Sequence, residues 1–202
     1  MFKRSKGYFL LTMLVLTGLA GRIHSDTLPA KERSYLIDQL KNGKADLINS
    51  IKLLSSKQLN LRASAIEPTL GQFICTRLTW ENSLWTACHL QLNRSTSKVT
   101  EEVTISNYQF EKLMAEKSSS LVGSTSPAPI LKNASAIISQ YKKIKDAELK
   151  FARTTTDNLH HYAIETKAGT MDAYQAMLLV SRYTKECIEK IEEIKLTPKF
   201  SK

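Results

Sequence analysis

The 202-residue chain is 42% hydrophobic and 24% charged, with 29 Lys and Arg against 19 Asp and Glu and a net charge of +10. That is enough for one domain with its own core. The cations are scattered and form no basic stripe interleaved with aromatics, which speaks against nucleic acid as a partner.

The N-terminus reads as an export signal. Lys3, Arg4 and Lys6 form a basic region, and Tyr8 to Ala20 form an apolar core of signal-peptide length. Gly18 and Ala20 make a small-residue cleavage site, with Ser25 as a second candidate, so residues 1–25 are assigned to the signal and 26–202 to a single domain. The alternative is an uncleaved anchor. The run is short for a membrane span, which takes about 20 apolar residues, and no second stretch is long enough either. A periplasmic or secreted location follows, with no stable membrane span after cleavage. Removing Lys3, Arg4, Lys6 and Arg22 lowers the net charge from +10 to +6. That mild basicity suits a solvated surface or weak attraction to anionic surfaces.

Leu36, Leu40, Leu47, Ile51 and Leu54 recur at helical spacing and predict a helix from Lys31 to Leu54. Ser55 with Gln58 is a capping box opening a short turn. Thr69 with Gln72, just after Pro68, is another and opens a helix ending near Asn93, with Leu70, Phe73, Ile74, Leu78, Leu84, Trp85 and Cys88 on one face. Val99, Val103 and Ile105 alternate with polar residues and suit an extended stretch. Ser106 and Gln109 cap a short helix through Met114, and Ser118 to Pro129 reads as loop. A third long helix is predicted from Ile130 to Leu159, and a connection from Asn158 to Gly169 holds His160 and His161. Thr170 is read as the cap of the last helix, with Asp172 in its first turn. Val180, Thr184, Cys187, Ile191 and Ile194 face inwards, and Pro198 stops it. Asn93-Arg94-Ser95 and Asn133-Ala134-Ser135 match glycosylation sequons, which carry weight only in a eukaryotic secretory pathway. Four long amphipathic helices imply an all-α bundle with a short extra helix and a long crossover connection.

Three cysteines, Cys75, Cys88 and Cys187, leave at least one thiol without a partner inside the chain. Cys75 and Cys88 share a helix, about 20 Å apart by helical rise, and cannot bridge each other. Either one of them bonds to Cys187, or all three pack as small hydrophobes.

Several segments, in order, resemble the DinB-like four-helix-bundle superfamily. They are Leu53-Leu54-Ser55-Ser56-Lys57-Gln58-Leu59-Asn60 with Arg62, the capped second helix with Glu81, and Thr170 to Phe200, above all Asp172-Ala173-Tyr174-Gln175 and Ile191-Glu192-Glu193-Ile194-Lys195. The resemblance covers most of the chain beyond the signal. It implies a divalent metal such as zinc or nickel, held by one histidine on the second helix and two on the last, in thiol-dependent transferases and metal-dependent hydrolases. It also leaves a homodimer open. In this chain Thr76, Tyr183 and Cys187 occupy those positions, a poor donor set, and no cofactor is expected. His89, His160 and His161 offer no useful ligand spacing and read as surface or loop residues. Arg77 and Glu81 stand four apart and either pair or project into the former site. Trp80 and Trp85 read as core or groove-lining residues.

Three functions follow. The first is a non-metal relative that binds a small molecule in a cavity lined by Thr76, Arg77, Glu81, Tyr183 and Cys187. The second is a transferase or hydrolase using a changed ligand set or Cys187 itself as nucleophile. The third is a structural or partner-binding bundle.

Overall fold

The computed structural model describes residues 27–62, 64, 66–94, 103–115, 133–166, 168–198 and 200. The predicted signal, the Ser118-to-Pro129 loop and the predicted start of the third long helix at Ile130 lie outside them. The architecture is mostly helical. Helices α1 (Ala30–Ile51), α3 (Leu70–Arg94), α5 (Ala134–Thr154) and α6 (Ala173–Lys195) are long; α2 (Ser56–Leu59) and α4 (Asn107–Ala115) are short. A 3₁₀ turn (Leu159–His161) and an antiparallel hairpin of β1 (Ala163–Thr166) and β2 (Gly169–Asp172) precede α6.

Packing follows the apolar faces. Helix α1 lies against both α5 and α6, and α3 lies chiefly against α6 and only sparsely against α5. Leu36, Leu40, Leu47 and Ile51 of α1 are buried, as are Ile137, Tyr141, Ile144 and Leu149 of α5. Helix α6 is buried on more than one side, from Ala173 through Val180 to Ile194. Where α1 crosses α6 the backbones come close at Gly43, whose missing Cβ would stand 3.3 Å from Cγ2 of Thr184.

Three capping boxes form as the sequence predicts. Ser55 Oγ accepts from the Gln58 amide, Thr69 Oγ1 from the Gln72 amide and Ser106 Oγ from the Gln109 amide, and each Gln side chain accepts from the cap residue's own amide. The last helix differs. Its cap is Asp172, which accepts from the Gln175 amide at 2.7 Å while Gln175 Oε1 accepts from the Asp172 amide at 3.1 Å. Thr170, predicted to be the cap, lies in β2 instead. The third long helix also ends earlier than predicted, at Thr154, with Leu159 buried in the 3₁₀ turn.

The connection before α6 is thus a hairpin. Gly169 has φ +124°, and a Cβ there would meet Thr104 Oγ1 at 3.0 Å and Ile105 Cγ1 at 3.1 Å. The amides of Thr104 and Ile105 donate to the Thr170 carbonyl at 2.9 and 3.0 Å. The extended stretch read around Val103 and Ile105 therefore docks on the hairpin. Residue Val99 lies outside the described residues.

The cap of α6 separates oxygen from charge. Asp172→Ala should cost about 1–2 kcal/mol in chemical denaturation, and Asp172→Asn distinctly less, because the amide oxygen still caps.

Candidate functional site

At the centre of the bundle lie three charged side chains. Lys145, Glu148 and Glu81 are 0%, 1% and 3% exposed. Helix α5 supplies Lys145 and Glu148 one turn apart, and α3 supplies Glu81. Lys145 Nζ donates to Glu148 Oε2 at 2.8 Å and stands 2.8 Å from Glu81 Oε1, off the hydrogen-bonding direction. Thr184 of α6 donates to Glu81 Oε2 at 3.3 Å and to the Val180 carbonyl at 3.1 Å. Tyr141 lies under the ammonium, its ring centroid 5.7 Å from Nζ. The cluster therefore joins three helices.

Two carboxylates face one ammonium in a dry setting. Burial opposes the charge on Lys145, but Glu148 and Glu81 overcome it and hold the lysine protonated well above its ordinary range. For Glu148, burial dominates and Glu81 adds repulsion; Lys145 offsets them only in part, so its carboxyl is pushed up to about 7. Its Oε1 is buried with no hydrogen-bond partner. A crevice too narrow for a water molecule lies beside it, lined by Leu40, Trp85, Cys88, Glu148, Met177 and Val180.

The positions singled out by sequence fall beside this cluster, on the α3–α6 interface. Tyr183 is 2% exposed and lies edge-on to Trp80, with ring centroids 4.1 Å apart. The Arg77 guanidinium sits between two rings, 5.3 Å from Phe73 and 5.4 Å from Tyr183, and its Nη1 is buried without a hydrogen-bond acceptor. Thr76 is half-buried on α3. Cys187 is buried, and burial pushes its thiol up to about 12, with Arg77 opposing and Glu81 adding to the rise. Of the two arrangements open to Arg77 and Glu81, the pair does not form: Glu81 is held by Lys145 and Thr184 instead. The three cysteines are buried and none forms a disulfide, so no bond joins Cys187 to Cys75 or Cys88.

As a metal site the set Thr76, Tyr183 and Cys187 does not fit. A phenol enclosed by Trp80 and Arg77, an alcohol and a thiol held neutral by burial are weak donors. Among the described residues, no group of three or more His, Cys, Asp or Glu could hold a metal ion.

His160 has a structural task. Its Nδ1 lies 2.8 Å from Asp172 and its Nε2 2.7 Å from Glu32, so with an acceptor on each side both nitrogens donate, as only an imidazolium can. It ties the start of α1 to the cap of α6. Burial opposes its charge, but the bonds to Asp172 and Glu32 prevail and raise it to about 10. His161 lies 3.5 Å from Asn158, and His89 stacks on Trp85 with centroids 5.4 Å apart.

The charged pair of α5 escaped the sequence reading, although a signal was present. Glu148 stands seven residues after Tyr141 and fourteen after Ala134, both buried, and Glu81 stands midway between Ile74 and Cys88 in the same rhythm. Compared with known proteins, the chain matches no family model, no curated protein and no solved structure.

Lys145→Met should cost about 3–5 kcal/mol, because it strands two buried carboxylates. The fold favours protonated Glu148, so its contribution is full below the ordinary pKa of 4.5 and is lost as pH rises towards about 7. Denaturation curves across that window should slope downwards in the wild type, and Glu148→Gln should flatten this part of the slope. His160 adds a further decline between 6.5 and about 10, softened by solvent because 34% of its side chain is exposed.

Proposed function

We propose that the protein is an exported bundle of DinB-like type that serves a structural or partner-binding role rather than the family's metal chemistry. The observation that carries this reading is how the α3–α6 interface is filled. Where the resemblance would put metal ligands, the chain packs Tyr183 against Trp80 and Arg77 and buries Cys187. Export to the periplasm or the medium is part of the proposal, and N-terminal sequencing of protein from a native host tests it.

Cys187 is poorly suited to nucleophilic catalysis. A thiol raised to about 12 holds almost no thiolate near neutral pH, and Arg77 alone does not reverse that. Adding zinc or nickel should therefore leave the melting temperature of the native protein unchanged. A chromogenic disulfide should find the thiols only as fast as the protein unfolds. Stoichiometric metal on Cys187, or rapid reaction of Cys187 in the native state, would overturn this reading.

A second reading, small-molecule binding at the same interface, draws on one specific observation. The buried Nη1 of Arg77 has no acceptor, and a ligand carboxylate would supply one. Small carboxylates should then raise the melting temperature of the wild type but not of Arg77→Leu. Equal behaviour of the two proteins would remove this option.

A further inference from the structure

The end of the bundle opposite the His160 clasp carries an unusual combination. Among the described residues, the three most exposed large hydrophobic side chains are Leu53, Ile66 and Leu196, at 85%, 95% and 87% exposure. They come from three different segments, but one core cluster gathers these segments. Ile51, Leu54, Leu59, Leu70 and Ile194 belong to it, with Phe200 packed alongside. Gln58 Nε2 donates to the Phe200 carbonyl at 3.5 Å, and Lys190 reaches Glu67, next to Ile66, at 3.7 Å. The three apolar tips therefore project from one end.

Charge gathers at the same end. Residues 47–66 contain no Asp or Glu but hold Lys52, Lys57 and Arg62, and the last turns of α6 carry Lys190 and Lys195. The nearest acids are engaged: Glu193 lies 3.3 Å and Glu67 3.7 Å from Lys190, and Glu192 lies 2.7 Å from Lys195. Cations at the C-terminal ends of α1 and α6 also suit the helix dipoles, which accounts for Lys52 and Lys195 without any partner. It does not account for three apolar side chains held in water.

We infer that this end is a docking surface for an anionic lipid bilayer, with Leu53, Ile66 and Leu196 entering the interface and the surrounding cations meeting lipid headgroups. Separate projecting apolar tips suit a fluid acyl boundary, whereas a flat or grooved protein face calls for a continuous patch. The cations beside them supply attraction to a negatively charged surface, and that attraction weakens with salt. Binding is peripheral, since among the described residues no helix is long and apolar enough to cross a membrane. The inference goes beyond the partner-binding reading and does not depend on the DinB-like resemblance.

The test attaches an environment-sensitive dye at Ser64→Cys, at the proposed surface, and in a second protein at Thr156→Cys, near the far end. The native cysteines are buried, so labelling is selective. Vesicles of phosphatidylglycerol and phosphatidylcholine should shift the emission of the Ser64→Cys dye and leave the other unchanged. Adding salt, or combining Lys52→Glu with Arg62→Glu, should weaken binding by about tenfold or more. Leu53→Ser, Ile66→Ser and Leu196→Ser together should abolish the shift while leaving the helical circular dichroism intact. The inference is overturned by no shift, by equal shifts at both labels, or by equal binding to pure phosphatidylcholine. A shift produced equally by a soluble polyanion, or by self-association without vesicles, overturns it too.

Discussion

Lys145 is the constraint around which the bundle is arranged. Its ammonium is fully enclosed and reaches acids on two helices. Removing such an ion from water costs several kcal/mol, and its attraction to Glu81 and Glu148 at most balances that cost. Burial of this kind is weak evidence for stability, and its stronger consequence is geometric. Helices α3 and α5 touch only sparsely, and the Lys145–Glu81 contact is what aligns one against the other. Thr184 draws α6 into the same register, and Gly43 lets α1 approach Thr184 closely. A slip of one residue along α5 would turn Lys145 and Glu148 away from their partners, so misaligned bundles are penalised heavily.

Much of this fold was legible in the sequence because apolar spacing and caps are local signals. The faces of α1, α3, α5 and α6 follow from residues three and four apart, and the boxes at Ser55, Thr69 and Ser106 follow from pairs three apart. The hairpin was not legible. Ala163–Thr166 is only four residues long, and it forms because Thr170 receives the amides of Thr104 and Ile105 from far along the chain. That omission displaced the cap of α6 from Asp172 to Thr170. The central charges were missed for a different reason. Lys and Glu are almost never fully buried unless paired, so charged residues within an apolar rhythm are ordinarily assigned to the surface. The pairing that reverses this for Lys145 and Glu81 lies 64 residues apart in the chain. At the α3–α6 interface, the resemblance singled out Tyr183 and Cys187, but only the packing around them revealed what Trp80 and Arg77 do there.

The interface illustrates how side-chain size and chemistry act together. A histidine ligand leaves room for an ion and its waters, whereas the Tyr183 ring extends to meet Trp80 and occupies that room itself. Cys187 could in principle supply a thiolate, but enclosure favours the neutral thiol. Among the described residues, Arg77 is the cation that opposes this, and it is engaged with the Phe73 and Tyr183 rings. Space and electrostatics thus argue in the same direction, towards packing and away from bond-making.

The two ends of the bundle then divide the remaining work. At one end His160 closes α1 onto α6 through two carboxylates, so both of its ring nitrogens are engaged within the fold. At the other, cations outnumber acids and apolar side chains stand in water, where they do nothing for the fold. Leu53 borders Leu54, and Leu196 lies two residues past Ile194; both neighbours are buried, so a small change of backbone path would have let the chain cover more apolar surface. Exposed leucines beside a well-formed core make sense if another surface covers them. A core aligned by charge and closed at one end would hold these tips at fixed spacing, which is what docking on a surface without pockets requires.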